Sequence, residues 1–207
     1  GKTEARNQAV LLSRSEIIVF SDATAIYEKN AIKKLVRNFA DISVGMVSGN
    51  LHYVEQSEGQ MGLATKLYWN YERVIKLAQS KLWTLTGAVG CINAFRRELY
   101  HVLPSNIIED FTEPLMILAQ DYRIVFESEA LAYERTTQKA KQEFLMRVRV
   151  IRGGMRGFLY AMSNLSFRKH FFPILQLLCH KVLRWLVPVF LILFFLLTFV
   201  ASFNASN

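Results

Sequence analysis

An apolar run near the carboxyl end constrains this chain more than any other feature. Leu186–Phe203 comprises eighteen residues without a charged side chain, which is about the minimum length of a helix that crosses a bilayer. Trp185 lies at its edge, and Lys181 and Arg184 precede it. These cations place the preceding residues on the cytoplasmic side by the positive-inside rule. We predict a transmembrane segment over 185–207, with a buried core helix as the alternative.

Length, charge and cysteine content limit the number of domains and the kinds of partner that the chain can have. A chain of 207 residues can form one domain and a membrane segment. The net charge of +8 comes largely from arginines and lysines between positions 147 and 184. Such clustering suits an anionic partner, either a nucleotide diphosphate or lipid headgroups. Nucleic acid fits less well and is not expected as a partner, because the basic residues adjoin a membrane span and no nucleic-acid-binding module is recognisable. Cys91 and Cys179 have no metal-ligand spacing.

The first forty residues predict the start of an α/β domain. Lys2–Leu12 is amphipathic, and Ile17–Phe20 is a continuous apolar run typical of a strand buried on both faces. A helix followed by such a strand predicts a mostly parallel sheet with flanking helices. Asp22 and Thr24 then lie at the carboxyl end of the strand, where open α/β sheets bind ligands. Asp22 can hold Mg²⁺ or Mn²⁺ that bridges a substrate diphosphate, or it can cap the next helix.

The middle of the chain continues this alternation. Val44–Val54 and Arg123–Glu127 are strand-like. Between them an apolar row at helical spacing predicts a long amphipathic helix packed as core; its members are Leu63, Leu67, Tyr71, Val74 and Ala78. Gly87, Ala88 and Gly90 interrupt an apolar stretch. Small residues there permit close approach of a ligand to the backbone, or form a tight turn.

Two adjacent carboxylates, Glu109 and Asp110, carry the main chemical hypothesis. Thr112 is a candidate N-cap, and Pro114 suits the first turn of a helix. This arrangement predicts Asp110 just before the helix N-terminus, where the helix dipole favours an ionised carboxylate. An ionised carboxylate can act as a general base. The alternative is that both acids only cap and solvate the helix.

A basic amphipathic helix is predicted over 138–160. One face carries Phe144, Val148, Ile151, Met155 and Phe158. Arg149, Arg152 and Arg156 cluster on the other side, and Arg147 lies at the apolar edge. The pattern is typical of a helix in the membrane interface, although an ordinary surface helix also fits.

The order of several short motifs resembles the inverting, membrane-attached family 2 glycosyltransferases, which include hyaluronan, chitin and cellulose synthases. The likeness extends from Gly1 to about Pro188. It rests on Gly1-Lys2…Ala5…Asn7, Ile17–Ala23, Phe95–Leu99, Glu109–Phe111 and Arg147–Gly153. It implies a GT-A fold, of which the first nucleotide-binding strand would lie before Gly1.

The resemblance also implies roles for individual residues. Asp22 matches the first acid of an Asp-x-Asp motif that binds metal and donor diphosphate, while Thr24 stands at its second position. Glu109 and Asp110 match the acidic pair whose Asp is the catalytic base. The implied donor-binding residues are Lys2, Asp22, Arg147, Arg149 and Arg152. Met146 and Val150 stand where the family's arginine motif has Gln and Trp.

We therefore expect a membrane-bound inverting glycosyltransferase that moves a sugar from a nucleotide-sugar donor to a hydroxyl of a glycan or lipid-linked acceptor, with Mg²⁺ or Mn²⁺. The predicted parts are a partial GT-A catalytic domain at 1–137 on the cytoplasmic face, an interfacial helical region at 138–184 and the transmembrane segment. A lipid-carrier glycosyltransferase and a non-catalytic membrane adaptor on the same scaffold are the alternatives. Thr24 favours the adaptor, whereas the Glu109–Asp110 pair favours the enzyme.

Overall fold

The computed structural model describes residues 1–54, 60–135 and 140–205. The chain divides into two units, Gly1–Lys169 and His170–Asn207. The first unit consists of α1 (Lys2–Leu12), β1 (Ile17–Ser21), β2 (Ile26–Tyr27), α2 (Ala31–Val36), β3 (Val44–Val54), α3 (Gln60–Leu82), β4 (Ile92–Arg96), α4 (Glu109–Leu118), β5 (Arg123–Arg135) and α5 (Ala140–Met162). Short 3-10 turns follow α2 and β4 at Arg37–Ala40 and Arg97–Leu99.

The five described strands form one sheet in the order β1-β4-β3-β5-β2. The α/β fold with flanking helices is confirmed, but a mostly parallel sheet is wrong. Among the described strands only β3 and β5 pair in parallel, because β4 runs antiparallel between β1 and β3, and β2 is antiparallel to β5. The apolar run of β1 predicted a strand buried on both faces. Among the described strands β1 instead lies at the edge of the sheet, and Ile17–Phe20 are half-buried.

One hydrophobic cluster packs α2 against the sheet. Leu35 of α2 and Phe39 of the following turn contact strand residues such as Val47 and Ala132. The apolar spacing of Ile32, Leu35, Val36 and Phe39 predicts this helix, but only Leu35 and Phe39 are buried, while Ile32 and Val36 are exposed. Gly45 of β3 lies so close to Ile117 of α4 that no side chain fits between them.

The start of α4 differs from the prediction. The helix begins at Glu109 with Ile108 as its N-cap residue, so Thr112 is not the cap and Pro114 lies inside the helix. The backbone N–H of Thr112 already donates to the Ile108 carbonyl at 3.1 Å. Two carboxylates in the first turn favour this earlier start because they face the positive end of the helix dipole.

The buried side of α3 is the opposite of the predicted one. Leu67, Tyr71, Val74 and Ala78 are exposed, and Leu63 lies outside the described side chains. The buried residues are Glu72, Lys76 and Gln79. The Lys76 ammonium lies 5.4 Å from the Trp69 ring centroid and 6.0 Å from that of Phe126, so aromatic faces accommodate the buried cation. Helical periodicity identified an apolar and a polar face of α3 but did not show which of them packs against the rest of the protein.

The second unit is helical. It contains α6 (Phe171–Leu177), a π-helical turn (Leu178–Val182) and α7 (Leu183–Ala205). By length and composition, Phe171–Phe203 is one helix able to cross a membrane, and none of its most apolar stretch is buried in the protein. It includes the predicted apolar run. The predicted boundaries at 137 and 184 remain predictions.

Gly45→Ala tests the packing of α4 on the sheet. The added Cβ would lie 2.6 Å from Ile117 Cγ2 and 2.7 Å from Tyr122 Cβ. We expect a loss of about 1–3 kcal/mol of folding stability, the usual cost of overpacking, measured as a lower thermal midpoint. Ser105→Thr, which adds a methyl to an exposed turn residue, is the control and should leave the midpoint unchanged. Equal midpoints for both variants would contradict this packing.

Candidate active site

A cleft opens where β1 ends and β4 begins. Ser21, the last residue of β1, pairs with Ile92, the first residue of β4, so Asp22 and Gly90, which lie just beyond these strand ends, line the same cleft. The cleft has a volume of about 230 Å³. Its lining residues are Lys2, Ala5, Arg6, Ala9, Phe20, Ser21, Asp22 and Gly90. Strand pairing thus brings together the end of β1 and the start of β4, two chain segments that are about seventy residues apart in sequence.

Lys2 links the predicted acidic motifs. Its Nζ lies 2.6 Å from Asp22 Oδ1 and 3.6 Å from Glu109 Oε1. Partial burial opposes the charged form of the amine, but the carboxylates of Asp22, Glu109 and Asp110 outweigh it and raise the Lys2 pKa. The side chain is therefore a fixed positive charge at the cleft, able to attract an anionic group.

Asp110 stands in the first turn of α4 and adjoins the cleft through Gly90. A Cβ on Gly90 would lie 2.9 Å from Asp110 Oδ2, so the carboxylate packs directly on the backbone at this glycine. The Ala88 N–H donates to the Asp110 carbonyl at 3.0 Å. The predicted base is thus placed beside the cleft that contains Asp22.

Glu109 faces α1 from the start of α4. Its Oε2 accepts a hydrogen bond from Thr3 Oγ1 at 3.3 Å, and its Oε1 lies 3.6 Å from Arg6 Nη1. The carboxylate is buried. Its contacts are those of a residue that positions α1, while Asp110 is the member of the pair that adjoins Gly90.

Arg6 is a cleft residue that the sequence analysis missed. It is only 6% exposed, and its Nη2 lies 2.7 Å from Glu113 Oε2. The guanidinium carbon lies 3.6 Å from the Phe20 ring centroid, within cation–π distance. Spacing could have revealed it, because Lys2 and Arg6 are four residues apart on one helix, as are Glu109 and Glu113 on another.

Thr24 lies two residues after Asp22, and its side chain has Glu134 as hydrogen-bond partner. The Thr24 hydroxyl donates to Glu134 Oε1 at 3.0 Å. Among the described residues, no cluster of three or more His, Cys, Asp or Glu side chains can hold a metal ion. Oxygen donors alone are nevertheless what Mg²⁺ and Mn²⁺ prefer, and such ions commonly complete their coordination with substrate phosphates. The donor set therefore fits an ion shared with a diphosphate.

The predicted arginines lie elsewhere. Arg147, Arg149 and Arg152 are exposed on α5, and within the described part of the chain they are not among the residues lining the cleft. α5 packs on α4 through its glycines, since Gly153 lies against Ile108 and Gly157 against Thr112. The protein-facing side of α5 is therefore small, and its arginines and most of its apolar row face outward.

Residues 1–103 match the family model described as Glycosyl transferase family 2. The chain is similar to a solved mannosyltransferase from Pyrobaculum calidifontis, which was determined in complex with GDP-Man and Mn²⁺. The two sequences are 24% identical, the match covers 91% of this chain and 52% of that chain, and the TM-score is 0.70. It is also similar to glucosyl-3-phosphoglycerate synthase from Mycobacterium tuberculosis, in complex with Mg²⁺ and UDP, at 18% identity over 80% of this chain and 56% of that chain, with a TM-score of 0.49. The chain thus spans about half the length of these structures. No curated protein sequence matches it.

Glu113→Gln tests the buried pair. Burial raises the pKa of the Glu113 carboxyl from 4.5 to about 7, although Arg6 opposes the shift. Between these two pH values the folded protein keeps a proton on Glu113 that the unfolded chain releases. The contribution of Glu113 to folding stability is therefore complete below pH 4.5 and is lost as pH rises through 7. We expect the thermal midpoint to fall by on the order of 5 °C between about pH 5 and pH 8 in the parent.

The Gln variant carries no titrating group at this position, so its midpoint should fall less over the same interval. Glu98→Gln, a substitution of the same kind at an exposed residue, is the control and should follow the parent. If the Glu113→Gln and parent midpoints fall in parallel, the raised pKa is contradicted.

Proposed function

Because the chain belongs to glycosyl transferase family 2, we propose that it transfers a sugar from a nucleotide-sugar donor to an acceptor hydroxyl with inversion at the anomeric carbon. The protein has the GT-A type of α/β fold. One observation carries the proposal: Asp22, protonated Lys2 and the Gly90 backbone that holds Asp110 meet at a single cleft. Direct displacement requires a base on one side of the reacting carbon and stabilisation of an anion on the other.

Asp110 is the general base in this reaction. Its carboxylate accepts the proton of the acceptor hydroxyl, the hydroxyl oxygen bonds to the anomeric carbon, and the nucleoside diphosphate leaves with the electrons of the broken C–O bond. The charge that develops on the departing diphosphate is the largest in the reaction, and fixed cations lower its energy. Lys2 supplies one such charge at the cleft. The proposal also assigns the exposed Arg147, Arg149 and Arg152 of α5 to the donor diphosphate.

Mg²⁺ or Mn²⁺ would be held by Asp22, with Thr24 as a neutral ligand beside it. When bound, the ion neutralises negative charge on the diphosphate. The oxygen-only donor set supports this assignment, and so does the Mn²⁺ in the mannosyltransferase complex from P. calidifontis. Glu134 fixes the Thr24 hydroxyl by accepting its hydrogen bond.

The 171–203 helix supports attachment to a membrane. Lys181 and Arg184 precede its most apolar part, and by the positive-inside rule they support a cytoplasmic catalytic unit. A nucleotide-sugar donor from the cytoplasm and a glycan or lipid-linked acceptor then meet at the membrane surface. The exposed apolar residues of α5 would contact the membrane interface.

Asp110→Asn should lower nucleotide release by about 100- to 10,000-fold, the usual contribution of a general base. Release is measured with a panel of sugar nucleotides, a broad set of acceptors and Mg²⁺ or Mn²⁺, in membranes that carry the full-length natural protein. Asp41→Asn is the matched control. Asp41 is an exposed carboxylate whose Oδ1 accepts hydrogen bonds from Ser43, and an amide oxygen preserves them. Full activity of Asp110→Asn would remove Asp110 from the mechanism.

Asp22→Asn should weaken Mn²⁺ binding at least about ten-fold in the presence of a nucleoside diphosphate, because the amide removes the negative charge that holds the ion. Calorimetric titration of the full-length protein in detergent measures this, again with Asp41→Asn as control. If the folded parent neither binds Mn²⁺ nor releases nucleotide, the non-catalytic adaptor becomes the better explanation.

A further inference from the structure

Pro114 changes the hydrogen bonding of the Asp110 carbonyl. In an α-helix the N–H of residue 114 would donate to the carbonyl of residue 110, but proline has no N–H. Pro114 lies inside α4, where a proline is normally unfavourable. The Ala88 N–H takes the place of the helical donor, at 3.0 Å from the Asp110 carbonyl oxygen. The helix is therefore bonded to the 87–90 loop at the residue that bears the proposed base.

The 87–90 loop is itself held from the sheet. Val89 N–H donates to Ser48 Oγ at 2.9 Å, and Asn93 Nδ2 donates to the Val89 carbonyl at 2.9 Å. Ser48 and Asn93 are fully buried on neighbouring strands β3 and β4. Because buried hydrogen bonds are costly to break, the loop is a rigid part of the sheet rather than an adaptable connection.

Gly90 extends the contact from the backbone of Asp110 to its carboxylate. A Cβ at this position would lie 2.9 Å from Asp110 Oδ2 and 3.3 Å from both Cβ and Cγ of that residue. Only a glycine leaves the carboxylate where it stands. The same glycine lines the cleft with Asp22, so the distance of the base from the cleft is set at this contact.

We infer that Pro114 and the 87–90 loop are a positioning device for the base: Pro114 supplies no competing N–H, Ala88 binds the Asp110 carbonyl, and Gly90 seats the carboxylate. The inference rests on the proposed function, in which Asp110 accepts the acceptor's proton. Its chemical consequence is geometric, because a displacement of about 1 Å at a reacting group can cost about 100-fold in rate. Pro114 and Gly90 are positioning residues, because in this scheme they act on the reaction only through Asp110.

Pro114→Ala is the discriminating variant. The substituted alanine supplies an N–H that competes with Ala88 for the Asp110 carbonyl, so we expect kcat for nucleotide release to fall about 3- to 10-fold while KM for the donor stays within about two-fold. The thermal midpoint should be unchanged or higher, since alanine suits a helix interior better than proline. A purely structural role predicts the same midpoint without the loss of kcat. Pro104→Ala, in an exposed loop, is the control and should match the parent.

Gly90→Ala is the second variant, with an expected kcat loss of about 10- to 100-fold. Amide hydrogen exchange gives a readout independent of turnover: Ala88 N–H should be protected in the parent and exchange faster in Pro114→Ala. An active parent whose Pro114→Ala and Gly90→Ala variants retain its kcat would overturn this inference alone. An unprotected Ala88 amide in the parent would also overturn it. A parent without nucleotide release would instead overturn the proposed function.

Discussion

The pairing of two cations on α1 with two carboxylates on α4 is the interaction on which the cleft depends. Lys2 and Arg6 lie one helical turn apart, as do Glu109 and Glu113. Arg6 and Glu113 are buried, so the desolvation of both charges offsets much of their attraction. Removing Glu113 would leave the buried Arg6 guanidinium with Glu109 as its remaining carboxylate neighbour on α4. We interpret the pair as an orientation device, because it fixes α1 at the angle at which Lys2 reaches Asp22.

The direction of one strand has equal importance for the site. β4 runs opposite to its neighbours, so its first residues return to the edge where β1 ends. The loop before β4 thereby brings Gly90 beside Asp22 and Ala88 beside Asp110. An all-parallel sheet would place the start of β4 at the opposite edge. Because β4 is antiparallel, the small residues that precede it lie beside both acidic motifs. In the sequence these small residues were only a weak signal.

Sequence reasoning succeeded where local pattern and chemistry agree. The bounds of α1, the position of Asp22 after β1 and the extent of β3 follow from periodicity and from continuous apolar runs. It failed where the outcome depends on long-range packing. In α3 the apolar row is exposed and polar residues are buried, and α4 starts before Thr112 because its acidic first turn faces the cations of α1. Arg6 was missed because its partner is more than a hundred residues away.

By itself, the sequence determined the α/β alternation, the apolar helix at the carboxyl end and the acidic residues proposed for the chemistry, because each depends on residue type and on neighbours within a few positions. Only the tertiary structure decided which face of α3 is buried, which way β4 runs and how Asp110 is held. Those outcomes depend on contacts between residues far apart in the chain. The interior proline shows the difference: in sequence Pro114 suggests a helix start, but in the fold it leaves the Asp110 carbonyl to the Ala88 N–H, because only packing brings that donor to it.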